Sequence, residues 1–586
     1  MTSGNSVFLR TSSFSEEKFF LGKQEKKMKR NLLAALIGMS CLAATTTANY
    51  AWGAQEKPNI VYILVDDQRY DAMGFINSDA VTPNMDAMAK EGTYFKNAFV
   101  TTSLCGPSRA SILTGMYAHN HGMVDNNKND NVYGLDFFPQ RLKAAGYQTA
   151  FFGKWHFGGV ETEAKPGFAG FDRWVGFIGS NAQGNYYPIN EFGGASELNV
   201  DGKIVKQKGY ITDELTDYAV DWMEHRDKSK PFMLYLGHKG VHADFLPAPR
   251  HIGKLKGKVF KKPDSWVNNA ANYEGKPRWV KDQRNSWHGI DFPYMENMDY
   301  NSWLENYYET LMSVDESVGR IRHYLKEQGL DKNTIIMVMG DNGFMFGEHG
   351  LTDKRNAYEE SIRVPLLASG PGFDAGRVVE DVVANIDIAP TILDAAGIAK
   401  PKNYDGSSFL ALGSGKSPAE PRSKTFVYEY FWEYNFPYTP TTFAIRGDRY
   451  KYINYYGVWD TEELYDLKAD PKEMHNLINA TDPAIVKIKQ ALRQELFNKL
   501  SDHKGKNVIP YNARLSEGIV QRYEDHGNGV RAADFPKGWM RPYGTSDKFV
   551  GFLPDTPDKV QKLQKMSEAM QKTKEYIKQQ YMKEEQ

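Results

Sequence analysis

From Pro58 onward the chain alternates between two hydrophobic patterns. Unbroken apolar runs end in polar groups: PNIVYILVDD (58–67), YQTAFFGKWH (147–156), KPFMLYLGHKGVH (230–242) and NTIIMVMGDNG (333–343). Between them lie stretches with helical spacing. TPNMDAMAKEG (82–92) opens on Thr-Pro and closes on Gly, which predicts a short helix. ITDELTDYAVDWMEHR (211–226) is helical in period. Over 303–329, Leu304, Tyr308, Leu311, Val318, Ile321 and Leu325 share one face. Continuous apolar runs read as buried parallel strands. Their alternation with helices predicts an α/β fold: a large, mainly parallel mixed sheet sandwiched by helices.

Ligands of such sheets bind beyond the carboxyl ends of the strands. Every polar cluster here sits at that end: Asp66-Asp67, Lys154 with His156, His238 with His242, and Asp341-Asn342. Groups far apart in sequence are therefore expected to converge on one crevice. Over 399–423 the chain becomes rich in Pro, Gly and Ser, which predicts a boundary. Beyond it, TFVYEYFWEY, TTFAIRGDRYKYINYY and EELYDL read as antiparallel strands and DPAIVKIKQALRQELFNKLSDH (482–503) as a helix. The expected organisation is a leader and signal peptide over 1–54 and a main α/β domain over 55–410. A smaller C-terminal α+β subdomain follows over 411–504, then an extension over 505–586 ending in a charged helical stretch.

Charge and cysteine content sharpen this picture. The 72 Lys and Arg balance 73 Asp and Glu, which gives no support for a nucleic-acid partner. The sequence MKRNLLAALIGMSCLAATTTANYAWGAQE starts at Met28 and has the form of a secretion signal. Lys29 and Arg30 precede an apolar stretch (32–44) too short to span a bilayer, and small residues follow. Met28 reads as the biological start. The expectation is a periplasmic or secreted protein with no stable membrane insertion. Lipidation at Cys41 is the alternative, although Gly38-Met39-Ser40 fits the pattern for it poorly. Signal cleavage leaves Cys105 as the sole cysteine, either an inert buried thiol or a nucleophile or its precursor.

Asp66, Asp67, Asp341 and Asn342 offer hard oxygen ligands, three of them anionic. Such a set suits Ca²⁺ or Mg²⁺ and not zinc, while a lone strand-end Asp pair would equally cap a turn. Lys154 and His156, two apart in an extended segment, point the same way. With Lys354 nearby, several cations beside several acids suggest an anionic substrate held next to a metal. In CGPSRASILTG (105–115), Pro107 suits the first helical position. That places Cys105 at a helix N-terminus, where open amides favour an anion, with Arg109 one turn in and able to reach back.

CGPSRASILTG resembles the signature of the formylglycine-dependent sulfatases of the alkaline-phosphatase-like superfamily: Cys-x-Pro-Ser-Arg, then Leu113, Thr114 and Gly115. Further blocks follow in the family's order over 58–477: DD at 66–67, GKWH at 153–156, HKGVH at 238–242, GDNG at 340–343, DKRNAYEESIRVP at 353–365 and ELYDLKADPKEMHNL at 463–477. The resemblance implies that Cys105 is oxidised to formylglycine by a formylglycine-generating or sulfatase-maturating enzyme. It implies a metal, usually calcium, held by Asp66, Asp67, Asp341 and Asn342 together with residue 105. It makes Arg109 the residue that orients formylglycine, Lys154 and Lys354 the clamps on sulfate oxygens, and Asp341 a base. His156 bonds a formylglycine hydroxyl and His242 lies near the leaving group. His238 is a candidate substrate contact that supports the site, or else it packs behind it.

The implied reaction is hydrolysis of a sulfate monoester. Phosphate or phosphonate monoester hydrolysis, found in the same superfamily, is the alternative, and the paired lysines with GKWH favour sulfate. An inactive glycan-binding protein is a third reading, but no expected catalytic position is missing. Export and the 34 Tyr, 32 Phe and 11 Trp suit an extracellular sulfated polysaccharide or oligosaccharide. YAHNHGMVDNN (117–127) and DKR resemble sulfatases that act on polysaccharides, N-acetylglucosamine 6-sulfatases among them. Asn126, Asn127 and Arg355 are expected near the sugar subsite, or else serve loops and caps.

Overall fold

The structure, a computed structural model, describes residues 57–126, 134–157, 164–178, 183–188, 197–243, 245–286, 288–291, 299–433, 436, 438–456, 462–502 and 557–581. The leader with Cys41, and Asn127, lie outside the described residues.

The large sheet has ten strands: β1 (Asn59–Val65), β2 (Thr93–Phe95), β3 (Gln148–Gly153), β4 (Arg173–Phe177), β5 (Glu197–Val200), β6 (Lys203–Lys206), β7 (Phe232–Gly237), β8 (Thr334–Gly340), β9 (Leu366–Ser369) and β10 (Arg377–Val379). Their order is β10-β2-β9-β8-β1-β7-β3-β4-β5-β6. The central run from β8 to β4 is parallel. β9 is antiparallel to both its neighbours, and β5 and β6 close the far edge antiparallel. The sheet is thus mixed and mainly parallel, as the apolar runs predict.

Every residue of β1, β7 and β8 is buried, because helices cover both faces. Phe151 stacks on Trp174, whereas Phe152 meets Trp222; successive side chains of a strand leave opposite faces. The main helices are α1 (Pro83–Glu91), α2 (Cys105–Thr114), α3 (Ile211–His225), α4 (Tyr300–Glu327) and α5 (Ile388–Ala395). α3, which carries Trp222, packs on α4, and α4 on α1; α2 packs on α5. α4 starts three residues before the predicted point, since the Asp299 side chain accepts from the amides of Asn301 and Ser302. Its predicted apolar face is buried throughout.

Beyond residue 425 an antiparallel meander forms: β11 (Phe426–Tyr430), β12 (Thr442–Arg446), β13 (Tyr450–Tyr455) and β14 (Glu462–Asp466). α6 (Pro483–Ser501), capped by Asp482, packs on it. α7 (Pro557–Tyr581) brings Lys574 within 3.2 Å of Glu305 on α4 and buries Ile577. The meander shares a hydrophobic core with the main sheet region, in which Phe99, Leu104, Met345 and Tyr358 meet Phe426, Tyr428, Tyr430 and Tyr465.

An ion pair crosses the same junction, His119 Nδ1 to the buried carboxylate of Glu429. Burial pushes the His119 pKa down, but Glu429 outweighs it and raises the group to about 9. A folded-state pKa above the unfolded value of ~6.5 stabilises fully below that value, and the contribution is lost as pH rises through about 9. The urea midpoint of the protein should therefore fall between about pH 6 and pH 10 by more than that of His119→Gln. Equal declines in the two proteins would remove His119 as a cause.

Candidate active site

β1 and β8 are hydrogen-bonded neighbours, with Val65 opposite Gly340, so the residues that follow them arrive side by side. Asp67 N donates to Asp341 Oδ1 (3.0 Å), and Asn342 Nδ2 donates to Asp67 Oδ1 (2.7 Å). Lys154, just past β3, bonds Asp66 Oδ2 through Nζ. Gly153 before it has φ 111°, and a Cβ there would sit 1.9 Å from the Gly237 carbonyl oxygen. Only glycine lets the ends of β3 and β7 close up at this point. His242, five residues past β7, places Nε2 3.9 Å from Asp67 Oδ2 while Nδ1 lies 2.7 Å from the Ala243 carbonyl. Lys354 Nζ bonds Asp67 Oδ1 and lies 3.2 Å from Cys105 Sγ.

Helix α2 begins at Cys105 itself, with extended Leu104 as its cap. Pro107 is therefore the third helical residue and not the first, as the sequence suggested. The missing N–H still costs nothing, because first-turn amides have no acceptor within the helix. Cys105 Sγ lies 3.4 Å from Asp66 Oδ1. Arg109 does not reach back to the thiol. Its Nε and Nη2 donate to Asp341 Oδ2 (3.0 and 2.8 Å) and its Nη1 to the Lys154 carbonyl (2.6 Å). Ligand atoms of Asp66, Asp67, Cys105 and Asp341 all fall within 4.8 Å of one another.

For two other residues the structure bears on the alternatives left open. His238 is fully buried and its Nε2 lies 2.9 Å from Ser317 Oγ on α4, so it packs behind the pocket. Asn126 Oδ1 accepts from Gly106 N (2.9 Å), so this side chain caps an open amide in the first turn of α2, the capping role left open for it. Arg355, next to Lys354, is buried. Its Nε donates to Glu433 (2.8 Å), its Nη1 to Asp353 (2.8 Å), and its guanidinium lies 4.0 Å over Phe436. His288 Nε2 meets the same Asp353 oxygen at 3.0 Å. Nothing local in the sequence singles out His288 or Glu433, since each is an isolated residue in a loop brought in by tertiary folding.

Three carboxylates and three cations (Arg109, Lys154 and Lys354) share this pocket with their side chains at most 1% exposed, and with all six ionised their charges cancel. Burial pushes Asp66 up, but the cations Lys154, Arg109 and Lys354 outweigh it and hold the carboxyl well below its usual range. Burial, with Asp66 and Asp341 nearby, raises Asp67 to about 7 against the pull of Lys354. Burial, then Asp66, pushes the Cys105 thiol up to about 12, so the thiol itself is not an activated nucleophile. His156 and His242 are both held low, by burial and then by Lys154, and are neutral.

The residues fit a hard divalent cation. Asp67 Oδ2 and Asn342 Oδ1 are buried with no hydrogen-bond partner, and both belong to the oxygen set the sequence singles out. A divalent cation among them would leave the pocket two charges positive, a setting for an anionic ester. Both ring nitrogens of His156 are also buried without a hydrogen-bond partner, at a backbone φ of 73°. An unmet polar atom there costs about 1–3 kcal/mol, so His156 is poised for a ligand atom.

A mixed sheet that gathers oxygen ligands, three cations and a helix-terminal cysteine at its carboxyl edge defines a hydrolase for esters of a compact oxyanion. The chain belongs to the sulfatase family, and is a sulfuric ester hydrolase. The sulfatase profile matches residues 58–398, and the profile described as N-sulphoglucosamine sulphohydrolase, C-terminal, matches 347–502. The chain is 33% identical over 516 residues to the N-acetylglucosamine-6-O-sulfatase of Bacteroides thetaiotaomicron, covering 78% of this chain and 89% of that protein. It is 28% identical over 480 residues to the N-acetylglucosamine-6-sulfatase of Homo sapiens, covering 73% and 82%. A structure solved in complex with its substrate, D-glucosamine-2-N,6-O-disulfate, matches with a TM-score of 0.69 and 31% identity over 77% of this chain and 99% of that one.

Proposed function

We propose that this sulfatase removes the 6-O-sulfate of glucosamine-type residues in an extracellular sulfated polysaccharide or oligosaccharide. The observation that carries the reading is the likeness, over nearly the whole of the solved chain, to a protein whose substrate is a 6-O-sulfated glucosamine. The relative at 33% identity is named for the same position. The test measures sulfate release from N-acetylglucosamine 6-sulfate, galactose 6-sulfate, and 2-O-sulfated sugars. The glucosamine 6-sulfate should be turned over at least about tenfold faster than the others, the least discrimination that a single pocket contact supplies. Preference for another sugar or position would refute the substrate. A phosphate monoester preferred over the sulfate of the same alcohol would favour the superfamily's other chemistry.

Asp66, Asp67, Asp341 and Asn342, with residue 105, would hold Ca²⁺, or Mg²⁺ in its place. Bound there, the cation would draw charge from the substrate oxygens, and formylglycine at position 105, as its hydrate, would supply an attacking hydroxyl and a second hydroxyl that allows the sulfate to leave. Asp341 takes the proton from the attacking hydroxyl. Lys154, Lys354 and Arg109 neutralise the sulfate oxygens as negative charge grows on them. His242 has a side chain 12% exposed, against at most 1% for the lysines and Arg109. Neutral itself, it would stand on the side on which the alcohol departs and relay to that alcohol a proton from the Lys354 ammonium, which it regains in return. His156 takes the proton of the second hydroxyl through its unpartnered ring nitrogen.

Cys105 is fully buried in the folded chain. Its oxidation by a maturating enzyme therefore precedes folding of α2, and the signal-like leader sends the product to the periplasm or the medium. No helix among the described residues is long and apolar enough to cross a membrane.

A further inference from the structure

The segment carrying Lys354 is held in an unusual backbone path. Asp353 and Arg355, on either side of it, have φ of 66° and 76°, in the left-handed region that non-glycine residues seldom occupy. Such residues persist only where the surroundings over-determine them. At the downstream end those surroundings come from the C-terminal meander. Lys451 Nζ on β13 donates to the Ala357 carbonyl (2.6 Å), and meets Glu359 Oε1 (3.1 Å) and Glu473 Oε1 (2.6 Å). Arg446, at the end of β12, pairs with Glu359 Oε2 (2.9 Å). Glu359 N donates to Glu473 Oε2 (2.8 Å), and Tyr358 OH to Glu463 Oε1 (3.1 Å) on β14. Lys451, Glu463 and Glu473 are 0% exposed and Arg446 is 4% exposed.

Three buried ionisable residues of the meander, Arg446, Lys451 and Glu463, and Glu473 in the turn just after β14 thus converge on three consecutive residues, 357–359. Apolar side chains of like volume would serve stability as well or better, because burying ion pairs costs desolvation that they barely recover. What an ion pair adds, and an apolar contact does not, is a fixed direction.

We propose that Lys451, braced by Glu473, is a positioning residue for catalysis: it fixes the 353–359 turn and through it the aim of the Lys354 ammonium at Asp67 and residue 105. The meander is then part of the catalytic apparatus at a distance. The inference rests on the assignment of Lys354 to the sulfate.

The test is a double-mutant cycle between Lys354→Met and the charge-neutral pair Lys451→Met with Glu473→Gln. The pair removes both charges together so that neither is stranded, and each protein is assayed below its measured unfolding transition. The Lys451/Glu473 pair variant should keep a folded circular-dichroism spectrum and lose roughly 10- to 100-fold in kcat, with a smaller change in KM. In the Lys354→Met background the same pair should cost almost nothing further, since it acts through a side chain already gone. Wild-type kcat in the folded pair variant would overturn the proposal, as would an undiminished loss in the Lys354→Met background. Full activity in Lys354→Met alone would instead bring down the role given to Lys354, and the proposal with it.

Discussion

Cys105→Ser, made in a host that converts the native cysteine, should release sulfate at least roughly a thousandfold more slowly than the wild type. A serine can attack sulfur once, but it has no second hydroxyl whose deprotonation expels the sulfate. Position 105 should then carry a serine sulfate ester after incubation with substrate, and Cys105→Ala should carry nothing. The difference between the two variants separates failure to attack from failure to release. The side chain is fully buried and α2 is buried along its length, so both small replacements should fold. Comparable turnover by serine and the native protein would mean that water, and not a second hydroxyl, completes the reaction.

Removal of divalent metal should be the other large effect. After exhaustive chelation, verified by elemental analysis, turnover should drop by about 10²- to 10³-fold or more, and Ca²⁺ should restore it. The added ion should also raise the melting temperature in a concentration-dependent way, because it binds only the folded cluster. Substitution of Asp67 is a poorer probe. Its carboxylate is the partner of buried Lys354, and stranding that ammonium would cost on the order of 3–5 kcal/mol and confuse catalysis with unfolding. Unchanged turnover in verified metal-free protein would contradict the ligand assignment.

The parallel core was plain in the sequence because strands buried on both faces leave unbroken apolar runs, and the polar residues that end them mark the carboxyl edge. That is why Asp66, Asp67, Lys154, His242, Asp341 and Asn342, scattered over 277 positions from 66 to 342, could be expected in one crevice. The exact path of the chain between such marks was not plain. His238 and His242 lie four apart after one strand, yet only the second turns into the pocket, and the first bonds Ser317. Asn126 lies within a motif that left sugar contact and capping both open, and an amide of α2 claims its oxygen. Lys451 hides best. In RYKYINYY a lysine between aromatics reads as the solvent side of a strand, and only the packing of the meander on residues 357–359 makes it fully buried.

The central claim, a sulfatase armed by conversion of Cys105, is tested most directly by mass spectrometry of the tryptic peptide spanning residues 97–109 from protein made in an exporting host with the maturation machinery. The peptide should carry an aldehyde in place of the thiol, in proportion to the specific activity of each preparation. Active protein whose peptide contains only unmodified cysteine would contradict the account.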